Sequence, residues 1–87
     1  MGKTLQLSLV LGKYIKELRI QRGHISGKKF AREYDLNDSN LSKIERGIGD
    51  IKFVTLFKIV QALDMSLDEF MKGLAERLGE DFFLIDQ

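Results

Sequence analysis

The stretch Phe30-Ala31-Arg32-Glu33-Tyr34-Asp35-Leu36-Asn37-Asp38-Ser39-Asn40-Leu41-Ser42-Lys43-Ile44-Glu45-Arg46-Gly47 holds two short helices with almost nothing between them. Phe30 and Ala31 turn inward from the first helix, which stops near Tyr34. Joined through Tyr34-Asp35-Leu36, the two helices must cross steeply, and one side of the second is presented to solvent. The turn asks one residue to visit the left-handed region, where Gly is the easiest choice. Asp35 stands there instead, one of the few other residue types that tolerate it, at a cost of about 1 kcal/mol. Asn37 is a good N-cap for the second helix, whose Leu41 and Ile44 lie three apart on an inner face.

Working outward, Leu11, Tyr14, Ile15 and Leu18 recur at helical spacing, which predicts a first helix from about Leu9 to Arg22, ended by Gly23. Ser26 caps the second. Beyond Gly47, Asp50 or Ile51 leads into a fourth helix with Phe53, Leu56, Phe57, Val60 and Leu63 apolar. Ser66-Leu67-Asp68-Glu69 is a capping box that opens a fifth, continuing through Phe70, Met71, Leu74 and Leu78. The predicted fold class is all-α, a compact five-helix bundle in a single domain over residues 1–87. Its core is 9–72, with 73–87 as a C-terminal extension. Two terminal stretches read differently. Thr4-Leu5-Gln6-Leu7-Ser8-Leu9 alternates with the period of a half-buried strand, and Phe82-Phe83-Leu84-Ile85 is β-prone. Short strands are the preferred reading, pairing with each other or with a partner chain; apolar ends tucked onto their own core, or helix extensions, are the alternatives.

Composition narrows the function. At 87 residues, 44% hydrophobic and 31% charged, the chain suits one soluble globular domain rather than a disordered tail. It has no Cys, which excludes disulfides, thiolate nucleophiles and Cys-based zinc sites; His24 is the only His. With no nucleophile–base pair, phosphate loop or ligand cluster, an enzyme has almost no support, and no metal, cofactor or small-molecule substrate is expected. The Leu-rich N-terminus lacks a cleavage site, and no apolar run approaches a membrane span, so a cytoplasmic protein is expected. Net charge is only +1, yet it is divided. Residues 1–52 carry eleven Lys/Arg against six acids, and residues 53–87 carry three against seven. A basic half suits a polyanion, with the acidic half turned away from it.

The quoted stretch resembles the helix-turn-helix of the lambda-repressor-like (Cro/CI, XRE) DNA-binding domains. Leu11-Gly12-Lys13-Tyr14-Ile15-Lys16-Glu17-Leu18-Arg19 is similar to that family's first helix. Thr55-Leu56-Phe57-Lys58-Ile59-Val60-Gln61-Ala62-Leu63 and Ser66-Leu67-Asp68-Glu69 are similar to its last two, so the resemblance covers about residues 9 to 72. It implies a transcriptional regulator whose third helix enters the DNA major groove, and an internal salt bridge between Arg19 and Glu45. Two departures stand out. The family usually carries Gln at the start of helix 2, touching a phosphate, where this chain has Gly27. One extra residue, His24, also lies ahead of that helix and is expected to be an exposed loop residue.

The residues themselves point to double-stranded DNA as well. Lys28 and Lys29 open helix 2, where positive charge opposes the helix dipole unless a phosphate docks there. Helix 3 turns Ser39, Ser42, Lys43 and Arg46 outward, with Asp38 and Asn40 at the flanks. Short polar groups with two cations can read base edges, and Ser39, Asn40 and Ser42 are poor helix formers for a merely solvated face. Asp38, Ser39, Asn40, Ser42 and Lys43 are the base candidates; Ser26, Gly27, Lys28, Lys29, Asn37, Arg46 and Lys52 are the phosphate candidates. One such domain reads about half a site, which calls for a homodimer on a palindromic operator, most simply as a repressor. Met71, Leu74, Leu78, Phe82 and Phe83 exceed what a small core needs and form the candidate dimer interface, unless they close that core intramolecularly. The alternatives are an antitoxin with a toxin as protein partner, or a restriction–modification controller protein.

Overall fold

The computed structural model describes residues 2–84, which form five helices: α1 Lys3–Gln21, α2 Gly27–Glu33, α3 Asp38–Glu45, α4 Phe53–Ala62 and α5 Leu67–Leu78. Their starts follow local chemistry. The side chains of Ser26, Asn37 and Ser66 each accept the backbone N–H three residues on, relieving one of the orphan donors at a helix start. At α5 the box is complete, because the Glu69 carboxylate also accepts from the Ser66 backbone N–H at 3.1 Å. Between α2 and α3, Asp35 adopts φ 56°, the left-handed conformation the turn demands.

One core unites the helices. Ile15 from α1, Phe30 from α2, Ile59 from α4, Leu63 just after it and Phe70 from α5 are fully buried, with Leu41 and Ile44 of α3 beside them. α1 packs on α3 and on α5, α2 on α3, and α4 on α5. The α1–α3 approach is backbone to backbone: any Cβ at Gly12 would collide with the carbonyl oxygen of Ile44. On the other side of α1, Gly73 of α5 leaves room for the Tyr14 ring, whose hydroxyl donates to the Phe70 carbonyl at 3.2 Å. Arg77 lies over the same ring at 4.7 Å and pairs with Glu17. The end of α4 is tied down by Arg22, whose Nε donates to the Leu63 carbonyl.

The termini correct the sequence reading. α1 begins at Lys3 rather than near Leu9, so Thr4–Leu9 is helix and there is no strand among the described residues. Six residues with Leu at 5, 7 and 9 fit a strand, yet Leu5 and Leu9 are also one helical turn apart. No Pro or Gly interrupts the run back to Gly2, so α1 simply continues, and Leu9 lies against Gly47 after α3. Phe82, Phe83 and Leu84 follow α5 as irregular chain, and the Ile85 end of the expected C-terminal strand lies outside the described residues. α4 starts at Phe53, with Lys52 as its N-cap. No described helix is long and apolar enough to cross a membrane.

Candidate nucleic-acid interface

Arg19 organises the ground beneath the site. Buried at 4% exposure, its Nε and second terminal nitrogen grip the two Glu45 carboxylate oxygens at 2.8 and 3.0 Å, a planar fork on a planar acceptor. Its remaining terminal nitrogen donates to the carbonyls of His24 and Ile25 at 2.6 and 2.8 Å. One side chain thus connects α1, the loop leading into α2 and the last turn of α3. His24 is not the exposed loop residue expected. It is half-buried, its ring 4.9 Å from Phe30 and 5.8 Å edge-on from Tyr34, because the α1–α2 loop folds over the apolar end of α2.

On that base, an open groove of about 670 Å³ runs between α1, the start of α2 and the outer side of α3. It brings together Gly27, Lys28, Asp38, Ser39, Ser42, Lys43 and Arg46 of the predicted residues. Sequence reasoning missed Lys16 of α1, which lines the same groove. The signal was available: Lys16 lies one helical turn before Ile20 on α1 and three residues before Arg19, on the side that reaches α3. Since Glu45 is already paired with Arg19, the groove sets four cations, Lys16, Lys28, Lys43 and Arg46, against the Asp38 carboxylate. Field lines from such a cleft favour a polyanion.

The other predicted residues lie elsewhere. Ser26 and Lys29 are exposed at the mouth of α2, where the Ser26 hydroxyl oxygen accepts the Lys29 N–H at 3.2 Å. Asn37 accepts from the Asn40 N–H at 2.8 Å, which leaves its amide N–H groups available to a further acceptor. Asn37 and Asn40 border a second hollow, shared with Asp35, Thr55 and Lys58, while Asn40 also lies one helical turn before Lys43 on α3. Lys52 is exposed at the start of α4. The expected dimer residues divide. Leu74 is buried and Leu78 packs against the core, both spent within the chain itself, whereas Met71 and Phe83 are exposed and Phe82 is half-buried.

A family model described as helix-turn-helix, HTH_3, matches residues 15–70. The chain belongs to this helix-turn-helix family. It is 36% identical over 66 residues to the uncharacterised HTH-type transcriptional regulator RC0668 of Rickettsia conorii, covering 76% of this chain and 52% of that protein. This helix-turn-helix chain therefore spans about half of that relative's length. It is 32% identical over 60 residues to control protein C.BamHI of Bacillus amyloliquefaciens, covering 69% of this chain and 74% of that one. Among solved structures, the restriction–modification controller protein C.Esp1396I shares the fold, with a TM-score of 0.74 at 24% identity over 83% of this chain and 92% of that chain. This is an XRE-type transcriptional regulator family. These relatives lend the antitoxin alternative no support.

Proposed function

We propose that the chain is a sequence-specific transcriptional regulator that binds a palindromic operator as a homodimer, with α3 in the major groove, and represses by occupying it. The observation that carries this reading is the groove in which Lys16, Lys28, Lys43 and Arg46 surround the short polar side chains of Ser39 and Ser42. Cations at the rim suit phosphates, and hydroxyls and a carboxylate between them suit base edges. Asp38, Ser39, Ser42 and Lys43 are assigned to bases. Ser26, Gly27, Lys28, Lys29, Asn37, Arg46 and Lys52 keep their assignment to phosphates, now joined by Lys16. Asn40, one helical turn before Lys43, keeps its assignment to bases.

Selection of bound sites from a random duplex library, followed by titration at several salt concentrations, tests this. The expected result is an enriched inverted repeat, bound with a salt slope of about 0.9 per phosphate contacted. Weak, salt-sensitive binding with no enriched sequence would overturn it.

A narrower reading is favoured by the names of relatives: C.BamHI, C.MunI of a Mycoplasma species, and C.Esp1396I are all control or controller proteins. In this reading the chain controls a restriction–modification system. Methyltransferase and nuclease genes beside its own are the expected finding, and their absence would remove the reading while leaving operator binding untouched.

A further inference from the structure

We infer that Leu9 of α1 is a positioning residue for Arg46: it covers the end of α3 and so fixes where the cation at that end of the groove stands. The inference rests on the operator-binding reading above, which gives Arg46 its phosphate. α3 has only eight residues, and the chain after it is permissive, with Gly47 at φ 75° and Gly49 at φ 73°. A helix that short keeps its last turn through caps and packing rather than through its own propensity. The cap is a Schellman motif. The N–H of Ile48 donates to the Lys43 carbonyl at 2.9 Å, and that of Gly47 to the Ile44 carbonyl at 3.0 Å. Beyond it, Gly49, Asp50 and Ile51 make no backbone–backbone hydrogen bond among the described residues.

In such a motif the residue after the glycine commonly folds an apolar side chain back over the helix end. Here that residue is Ile48, and 51% of it is exposed. α1 supplies the cover instead. A Cβ on Gly47 would stand 2.7 Å from Leu9 Cδ2, 2.9 Å from its Cα and 3.1 Å from its backbone nitrogen, so helix and cap meet backbone to backbone. Ser8 adds a long hydrogen bond, its hydroxyl donating to the Gly49 carbonyl at 3.5 Å. Arg46 therefore lies between two residues that α1 holds, Glu45 through the Arg19 fork and Gly47 through Leu9. Its own Nε turns back to the Ser42 carbonyl at 3.3 Å, and the side chain lines the groove. The family match begins at residue 15, so this support comes from a part of α1 that lies ahead of it. Order of this kind is in place before DNA arrives, and binding does not have to supply it.

Leu9 is 45% exposed, so its truncation spares the core, and Leu9→Ala is expected to melt close to the parent chain. Amide hydrogen exchange in the free chain should quicken at Gly47 and Ile48 and stay unchanged at Leu41, whose N–H is bonded at the other end of α3. Affinity for the inverted repeat should fall several-fold. The same substitution is expected to cost nothing further in an Arg46→Ala chain, and its full effect in a Lys28→Ala chain, since Lys28 stands on α2. Leu9→Met should restore the parent values, and Leu5→Ala, one turn earlier on α1, should not depart from them. Leu9→Val serves the same comparisons if Leu9→Ala melts early. Parent exchange rates and affinity in the Leu9 variants, or a loss as large beside Arg46→Ala as beside Lys28→Ala, would overturn the inference. A parent chain that binds no duplex would defeat the operator reading instead, and exchange at Gly47 and Ile48 would still decide whether Leu9 holds the end of α3.

Discussion

Arg19 reaches three segments at once, and its loss is a structural event before it is a functional one. Arg19→Ala strands the buried Glu45 carboxylate, which costs about 3–5 kcal/mol. Thermal melting and DNA titration should fall together; lost binding at an unchanged melting temperature would contradict this role. Arg19→Lys should rescue little, since a point charge cannot reproduce the fork on Glu45. Gly27 makes the opposite case. A Cβ there would sit 3.7 Å from the Arg19 guanidinium carbon, an ordinary contact, and Gly27 is the first residue of α2. Gly27→Gln is therefore expected to fold normally and to tighten DNA binding several-fold, read by titration, by supplying the phosphate contact that the family usually makes there. The Arg19–Glu45 pair was legible only through the resemblance, because no local pattern links residues 26 apart. His24 was not legible at all: nothing in its neighbours announces that the loop folds over Phe30.

Helix ends were the most readable elements, because caps act within four residues and need no tertiary context. Ser26, Asn37 and Ser66 all cap as their chemistry suggested. The start of α1 was the least readable, since a six-residue leucine alternation satisfies two periods at once. The α5 box yields a pH prediction. Hydrogen bonds from the Ser66 backbone N–H and hydroxyl hold the Glu69 carboxyl below its ordinary range. A carboxyl lowered by folding contributes stability above the range it titrates in when unfolded, and loses it as pH falls through the lowered value. Melting followed from about pH 6 to about pH 2 should show this acid-dependent loss in the parent chain and a smaller one in Glu69→Gln. Ser66→Ala should cost about 1 kcal/mol, a fall of about 4–8 °C in melting temperature, at neutral pH.

Across the whole molecule, charge divides along the chain, basic through Lys52 and acidic beyond it. The division was plain in the sequence, but the groove was not, because Lys16 joins it from α1, outside the two-helix stretch of α2 and α3 that carries the other groove residues. Lys16→Ala is expected to weaken binding to all duplexes alike and to lower the salt slope by about 0.9, whereas Ser39→Ala should change the preferred bases with little change in slope. A Lys16→Ala chain with an unchanged slope would remove Lys16 from the interface. The exposed side of α4 was equally hidden, since Phe53 and Phe57 look like core residues until the helix is oriented. The close seating of α1 on α3 has a separate consequence for descent. Gly12 and Arg19 fix α3 through its backbone and its last turn, and the side chains of Ser39, Ser42 and Lys43 bond to no other part of the described chain. Those three positions are free to drift, so duplicated copies of this gene can change what α3 presents while inheriting the same scaffold.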